Sequence, residues 1–244
     1  MLVRWGGYSD IEQKCMDSWK RKLPDYKIVK WDESNFNIEE HEYAKQAYAA
    51  GKWAFVSDYA RVWILLNYGG IYLDTDYEII GNLDDYLENE MFVGVENDDY
   101  VGSAIMGAEK GNWLLKEMLT YYQTHPFTLN DGNFDMIPNT MVMTDMLVNH
   151  GYTRGIASIV DGIFIGDKKI FYPSGKTDCQ NEASVGVHYF RGSWWSDKER
   201  KRSTSTIYRR VFRPILIRSK KLLKMILGAE RARKIEMKVK NFLK

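Results

Sequence analysis

The sequence predicts an α/β fold, in which a mixed sheet of the Rossmann type is flanked by helices and followed by a basic helical extension. Two observations support this prediction. In the first half of the chain, segments with apolar residues at helical spacing alternate with short apolar runs typical of buried strands. In residues 198–244, apolar positions recur at helical spacing while Lys and Arg occupy most of the others, which indicates amphipathic helices.

The individual elements follow from apolar periodicity and from residues that begin or end helices. The first helix is predicted over residues 10–22, because Ser9 or Asp10 can cap its start and Pro24 ends it. Gly69 and Gly70 form a helix end and a turn into the next strand. Further helices are predicted over residues 39–51, 56–68, 113–124 and 139–150. Strands are predicted over residues 2–5, 26–31, 71–73, 92–95, 104–107, 163–165, 170–172 and 185–189.

Composition excludes several broad classes of protein. The chain has 244 residues, 45% hydrophobic and 14% aromatic, so it can bury a sizeable core and is not expected to be disordered. We expect no membrane-spanning helix, because there is no run of about 18 apolar residues, and we expect no signal peptide. Cys15 and Cys179 lack metal-type spacing. They suit two free thiols in a reducing compartment, with one disulfide as the alternative.

The net charge of +1 conceals a division of charge along the chain. Residues 198–244 hold 17 Lys and Arg against 3 Asp and Glu, whereas residues 1–197 hold 17 and 30. We therefore predict two domains, 1–197 and 198–244, and an anionic partner for the basic tail. A membrane surface suits this tail better than nucleic acid, which the acidic body would repel. A solubilising or oligomerising extension is the alternative.

The segment GGIYLDTDYEII, residues 69–80, places two aspartates directly after a predicted buried strand. Ligands of α/β proteins bind beyond the carboxyl ends of strands. In an extended segment Asp74 and Asp76 point to the same side, where they repel each other unless a cation lies between them. Hard divalent cations prefer such oxygen ligands. A solvated turn and the nucleophile of a haloacid-dehalogenase-like phosphatase are the alternatives for this motif alone.

Asp58 and Arg61 lie three residues apart on the preceding predicted helix, so they face the same way. One interpretation is a helix cap with a surface ion pair. The other is that Asp58 orients Arg61 as a fixed donor to phosphate or to sugar hydroxyls.

The segment WAFVSDYARVWILLNYGGIYLDTD, residues 53–76, resembles the sugar-binding region of family 32 glycosyltransferases, the bacterial capsular-polysaccharide-type enzymes with a DXD motif. It joins S-D-x-x-R, a Tyr-Gly-Gly turn and I-Y-L-D-x-D. Shorter segments of the chain resemble other parts of that family, namely CMDSW at 15–19, LPDY at 23–26, GAEKG at 107–111, TDML at 144–147 and VHYFRGSW at 187–194. The resemblance covers about residues 1–197 and leaves out the basic tail.

The resemblance implies a GT-A-like fold, a nucleotide-sugar donor and Mn²⁺ or Mg²⁺ as cofactor. It implies that Asp74 and Asp76 bind the ion and the donor, and that His188 supplies a further ligand to the ion. The catalytic set that it implies is Asp58, Arg61, Asp74 and Asp76. The substrate-binding set that it implies is Trp5, Asp58, Arg61, Tyr72, Ser193 and Trp194. It assigns no nucleophile, although Asp145 and Ser103 are conceivable near the site.

We therefore expect a metal-dependent, retaining hexosyltransferase that moves a sugar from a nucleotide-sugar donor to a glycan acceptor in surface polysaccharide (capsule) synthesis. We expect the acceptor to be polyprenyl-linked, and we expect no nucleic acid partner. We expect the protein to be cytoplasmic and peripheral on the inner face of the bacterial plasma membrane. A haloacid-dehalogenase-like phosphatase is disfavoured, because the motif comes only at residue 74. The other alternative is a non-catalytic sugar-nucleotide or membrane-binding homologue, because the sequence begins almost inside its first strand.

Overall fold

The computed structural model describes residues 8–173 and 183–190, together with positions 219, 222, 223, 226, 227 and 235. The chain divides into two compact units, Met1–Arg191 and Gly192–Lys244. The predicted strand at 2–5, most of the tail and the predicted site residues Trp5, Ser193 and Trp194 lie outside the described residues. The domain boundary at residue 197 stays a prediction.

Six α-helices are described in the first unit. Helix α1 begins where the sequence predicts, because Ser9 and Glu12 form a reciprocal capping box that satisfies the first backbone amides. Helix α3 ends at Gly69, whose φ of 68° only glycine adopts readily. The helices are α1 (Asp10–Lys22), α2 (Glu42–Ala49), α3 (Trp53–Tyr68), α4 (Trp113–Thr124), α5 (Asn139–Asn149) and α6 (Lys168–Phe171).

The main sheet has five strands in the order β1-β4-β3-β6-β5. They are β1 (Gly70–Leu73), β3 (Met91–Val95), β4 (Val101–Ala108), β5 (Ser158–Val160) and β6 (Ile163–Gly166). The β3–β6 pair is parallel, whereas the other three pairs are antiparallel. The expectation of a mixed sheet flanked by helices is therefore confirmed. Every residue of β3 and β4 is buried, as expected for strands covered on both faces.

A separate two-stranded ribbon is formed by β2 (Tyr77–Ile79) and β7 (Gly186–His188), which are antiparallel. Strand β2 follows β1 after a turn of three residues, so the chain leaves the main sheet and enters the ribbon at Asp74 to Asp76. The indole of Trp19 on α1 donates to the carbonyl of Tyr77 at 2.7 Å, which holds the ribbon against that helix. The turn that carries the two aspartates therefore connects the main sheet to the β2–β7 ribbon, and both of its ends are held by strands.

Two predicted strands are wrong. Residues 26–31 form no strand, and Ile28 and Val29 are both about half exposed, so their apolar character does not mark a buried face. Residues 170–172 belong to or follow α6, because the side chain of Asp167 caps that helix by accepting from the amide of Lys169. The predictions also omit β2 and β5, each only three residues long.

The described positions of the second unit are all helical, which agrees with the helical periodicity of the tail. Leu222, Ile226 and Ile235 are exposed. Within the described part of the chain, no helix combines the length and the apolar character needed to span a bilayer. Cys15 is a buried free thiol, and Cys179 lies outside the described residues.

Candidate functional site

Asp74 and Asp76 lie in a tight turn and not in an extended segment. The amide of Tyr77 donates to the carbonyl of Asp74 at 3.0 Å and closes this turn. The interpretation that both side chains point to one side of a strand is therefore wrong. The turn nevertheless brings the two carboxylates together with the imidazole of His188, and one ligand atom from each residue lies within 4.8 Å of the others. The sequence prediction named the same three residues as metal ligands.

The β2–β7 ribbon places His188, which is paired directly with Tyr77. Its Nε2 lies 3.2 Å from Oδ1 of Asp76 and 3.9 Å from Oδ2 of Asp74. Its Nδ1 is buried and has no hydrogen-bond partner among the residues that the structure describes. The ring of Phe190 packs against the imidazole with 4.1 Å between centroids. Nε2 is therefore the nitrogen that faces the two carboxylates.

The electrostatic surroundings of His188 favour its protonated form in the absence of a cation. Burial lowers the pKa of the imidazole, but the hydrogen bond to Asp76 and the charges of Asp74, Asp76 and Glu96 outweigh this and raise the pKa above 6.5. A cation that binds Nε2 must displace this proton, so metal affinity is expected to rise with pH. Two carboxylates and an imidazole suit a divalent ion such as Mn²⁺.

Arg61 is buried, with 5% of its surface exposed, and its guanidinium connects α3 to the aspartate turn. Nη2 lies 3.2 Å from Oδ1 of Asp58 and 3.3 Å from Oδ1 of Asp74. The group also donates to the carbonyl of Ser103 at 2.7 Å and to the hydroxyl of Ser57 at 3.1 Å. Its donors are therefore engaged by the protein, and a direct contact with phosphate or sugar stays a prediction.

Asp58 is the more accessible member of the predicted Asp58–Arg61 pair, since its side chain is 13% exposed and that of Arg61 is 6% exposed. Burial raises the pKa of Asp58 to about 6, although the charge of Arg61 and the backbone amide of Asn139 oppose this shift. Burial by itself lowers the pKa of Arg61, but the charges of Asp74 and Asp58 raise it. Near neutral pH, a carboxylate is thus held beside an always charged guanidinium.

Tyr72 supports Asp74 from within β1. Its hydroxyl donates to Oδ1 of Asp74 at 2.7 Å and lies 3.0 Å from Oγ of Ser57. Its ring faces the guanidinium of Arg61 at 4.5 Å. The sequence prediction placed Tyr72 among substrate-binding residues, whereas the described contacts of this side chain orient a carboxylate.

Sequence reasoning missed several residues that hold the site. Thr75 donates to Oε1 of Glu12 at 3.1 Å, and Glu78 pairs with Lys14 at 2.7 Å. Helix α1 therefore contacts both the aspartate turn and the ribbon. Asn139, at the start of α5, donates its backbone amide to Oδ2 of Asp58 at 3.4 Å. The predicted cap at Ser9 or Asp10 indicated only where α1 begins, and no local signal indicates these long-range contacts.

The two conceivable nucleophiles have other partners. Asp145 pairs with Arg154. Ser103 is 6% exposed, and its hydroxyl lies 3.1 Å from Arg61 and 2.9 Å from Oδ1 of Asn139. The three-residue cluster described above contains neither of them.

The class of protein is indicated by a match to a family model. Residues 9–93 match the family described as "Glycosyltransferase sugar-binding region containing DXD motif". This segment, less than half of the chain, contains Asp58, Arg61, Asp74 and Asp76. The match supports a glycosyltransferase with a sugar-binding region and a DXD motif.

One solved structure similar to this chain is titled "PaToxG Glycosyltransferase", with a TM-score of 0.46 and 17% sequence identity. The similarity covers 61% of this chain and 66% of that chain, which is just under two thirds of its length. A comparison with curated proteins finds no match.

Proposed function

We propose that this protein is a metal-dependent hexosyltransferase that transfers a sugar from a nucleotide-sugar donor to a glycan acceptor. The observation that carries the proposal is the convergence of Asp74, Asp76 and His188, with one ligand atom of each within 4.8 Å of the others. The match of residues 9–93 to a DXD sugar-binding region supports the same assignment.

The three side chains form a suitable donor set for Mn²⁺ or Mg²⁺. Carboxylate oxygens and a neutral imidazole nitrogen are ligands that such ions accept, and the nitrogen nearest to the carboxylates is Nε2 of His188. When bound there, a divalent cation supplies positive charge that offsets the charge developing on a departing nucleotide diphosphate.

The chain's own residues hold this donor set in place. Arg61 and Tyr72 both contact Oδ1 of Asp74, at 3.3 and 2.7 Å, so they fix the first aspartate of the motif. Asp58, beside Arg61, has a partly exposed carboxylate that can accept a hydrogen bond from a hydroxyl group of the donor sugar. We propose that Arg61 acts by positioning these two carboxylates.

The finer assignments extend this proposal. We infer a retaining enzyme of family 32 that acts in surface polysaccharide synthesis, and the resemblance of residues 53–76 to that family is the support. An oxocarbenium-like transition state, as in glycoside hydrolysis, would be favoured by negative groups around the sugar.

The direct test is metal-dependent release of nucleotide diphosphate from a panel of UDP- and GDP-sugars. We expect slow release with Mn²⁺, and a loss of at least about 100-fold in Asp74→Asn and in Asp76→Asn. Asp17→Asn, on the exposed surface of α1, is the matched control and should keep full turnover. Unchanged turnover in both site variants would overturn the assignment.

The same assay separates the alternatives. A haloacid-dehalogenase-like phosphatase would release inorganic phosphate from a phosphomonoester and would ignore nucleotide sugars. A non-catalytic homologue would bind a nucleotide sugar in calorimetry and release no diphosphate.

We also propose that the basic tail binds an anionic membrane surface on the cytoplasmic side, where a polyprenyl-linked acceptor would lie. The net charge of residues 198–244 supports this, as does the exposure of Leu222 and Ile226 on a helix. Each Lys or Arg near such a surface contributes roughly 1 kcal/mol.

Flotation of the full-length protein with vesicles containing phosphatidylglycerol tests the membrane proposal. Substituting Glu at three tail lysines should abolish flotation, whereas the same change at three exposed lysines of the acidic body should not. The tail set is Lys220, Lys221 and Lys224, and the control set is Lys20, Lys27 and Lys116. Equal flotation of both triple variants would show that the tail is not the membrane anchor.

A further inference from the structure

An imidazole at the end of α5 lies between two carboxylates from other parts of the fold. Nδ1 of His150 is 2.8 Å from Oδ2 of Asp161, in the turn between β5 and β6. Nε2 of the same ring is 3.4 Å from Oε1 of Glu117 on α4. We name these three side chains the His150 bridge, because they join α4, α5 and the β5–β6 turn. All three are partly exposed, so they exchange protons with water.

Both carboxylates are positioned by contacts that do not involve His150. Asp161 has a φ of 43° and begins the two-residue loop that joins β5 to β6, an Asp-Gly sequence typical of such turns. The indole of Trp113 donates to the carbonyl of Asp161 at 2.9 Å. Glu117 lies four residues after Trp113 on the same face of α4. The turn and α4 therefore offer acceptors on opposite sides of the imidazole.

This arrangement is a bridge and not a metal site. The two carboxylates contact opposite nitrogens of the ring, so the ligand atoms do not converge on one point. In the part of the chain that the structure describes, the group of three such side chains whose ligand atoms lie within 4.8 Å of one another is Asp74, Asp76 and His188. The function of the His150 bridge must therefore come from its proton.

The number of protons on the ring decides how many of these contacts can form. An ionised carboxylate only accepts hydrogen bonds, an imidazolium donates from both nitrogens, and a neutral imidazole donates from one. The protonated ring therefore bonds Asp161 and Glu117 together. The neutral ring bonds one of them, and its other nitrogen then faces the lone pairs of the second carboxylate. The contact with Asp161 is the shorter by 0.6 Å, so it is the one expected to keep its proton.

The surroundings favour the protonated ring. The hydrogen bond to Asp161, together with the hydrogen bond and charge of Glu117, raises the pKa of His150 above 6.5, although burial opposes this shift. The ring also stacks on Trp113 with 4.2 Å between centroids, an arrangement that favours a cation. His150 directly follows the last residue of α5, where the helix dipole favours positive charge. Geometry and charge thus agree that the intact bridge contains an imidazolium.

We propose that the His150 bridge is a pH-sensitive switch, in which loss of the Nε2 proton breaks the link between α4 and the end of α5 and keeps the link between α5 and the β5–β6 turn. The bridge is complete below about pH 6.5, and its contact with Glu117 is lost as the pH rises through the pKa of folded His150. The backbone amides of residues 150–152 bond carbonyls in the last turn of α5. Once the contact with Glu117 is broken, this last turn opens more often.

Nuclear magnetic resonance of the full-length protein, labelled with ¹⁵N in its histidines, reads each ring nitrogen separately. With rising pH we expect His150 to lose the proton from Nε2, to keep the one on Nδ1, and to titrate with a midpoint above 6.5. Glu117→Gln and Asp161→Asn should each lower this midpoint, because each removes a negative charge that favours the imidazolium. A neutral ring that carries its proton on Nε2, or a midpoint that neither variant lowers, would overturn the proposal.

Hydrogen exchange measures the consequence for α5. The protection of the amides of residues 150–152, corrected for the intrinsic pH dependence of exchange, should fall severalfold in the wild type between about pH 5.5 and about pH 8.5. His150→Gln has a side chain that does not titrate, so its protection should be the same at both pH values. Protection in the wild type that does not change with pH would show that the bridge does not operate as a switch.

His125 offers a matched control. It directly follows the last residue of α4, it is exposed, and it stacks on Tyr121 with 4.2 Å between centroids. Its Nδ1 lies 3.0 Å from the carbonyl of Tyr121 and 3.0 Å from the hydroxyl of Thr124, and no carboxylate pairs with it among the described contacts. His125→Gln should therefore leave the pH dependence of protection at residues 150–152 unchanged. If that dependence disappears in His125→Gln, the assignment of the switch to His150 is overturned.

Discussion

The side chain of Thr75, which lies between the two aspartates of the turn, donates a hydrogen bond to Oε1 of Glu12 at 3.1 Å. Glu12 is also the third residue of α1 and completes the capping box with Ser9. The start of this helix is therefore tied to the turn that presents Asp74 and Asp76. A group that has no contact with the proposed cation can in this way decide how well its ligands are oriented.

Thr75→Val should weaken Mn²⁺ binding about tenfold while leaving the fold intact, because valine keeps the shape of threonine and loses the hydrogen bond to Glu12. Calorimetric titration with Mn²⁺ alone measures the effect without reference to any substrate. Thr120→Val on α4 is the control, since the Thr120 hydroxyl bonds only its own helix at the carbonyl of Lys116 within the described contacts. Equal Mn²⁺ affinity in the two variants would show that the Glu12 contact does not orient the turn.

Arg61→Lys should lower the free energy of unfolding by about 3–5 kcal/mol, although it keeps the positive charge. Arg61 serves Asp58, Asp74 and Ser103 at once, and a lysine ammonium cannot reproduce this planar fork. Urea denaturation measures the loss. The same substitution at the exposed Arg21 of α1 should change stability by less than about 0.5 kcal/mol. A small effect at Arg61 would mean that its contacts with Asp58, Asp74 and Ser103 contribute little to stability.

The stability of the protein should carry a pH dependence that comes from Asp58. Its pKa is about 6 in the folded protein against an ordinary value of 3.8 for an aspartate, so the folded state binds the proton more tightly. Stability from this group is therefore highest at low pH and is lost as pH rises from about 4 to about 7, by up to about 3 kcal/mol.

Comparison with Asp58→Asn isolates this term. The difference in unfolding free energy between the wild type and Asp58→Asn should shift against the wild type over that pH range. Urea denaturation at a series of pH values measures it, and a difference that stays constant with pH would contradict the raised pKa.

Gly69→Ala should destabilise the protein by about 2–4 kcal/mol, because Gly69 has φ 68° and ψ −164°, a region almost restricted to glycine. A Cβ there would also lie 2.9 Å from the backbone nitrogen of Lys110. Gly51→Ala is the control, since Gly51 has a similar φ of 65° but a Cβ would meet no described atom within 4 Å. We expect that control to cost only about 1 kcal/mol, as measured by thermal or urea unfolding. Equal losses would mean that the contact with Lys110 is absorbed by small movements.

Several parts of the fold follow from local sequence alone. The start of α1 comes from the Ser9 cap and its partner Glu12, Pro24 limits its end, and α4 begins and ends as its apolar spacing predicts. The end of α3 follows from Gly69. These features depend on contacts within a few residues, so propensity and periodicity are enough to predict them. Short strands such as β2 carry too few residues to show a period, and they form because a distant partner pairs with them.

The sequence by itself was enough to predict which side chains meet at the candidate site, because Asp58, Arg61, Asp74, Asp76 and His188 could all be named from motifs and resemblance. Only the tertiary structure decided how they meet. His188 is 112 residues from Asp76, and it reaches the turn only because β7 pairs with β2. Burial likewise surrounds the guanidinium of Arg61 with Asp58, Asp74 and Ser103. Such outcomes depend on long-range packing and desolvation, which local sequence patterns do not encode.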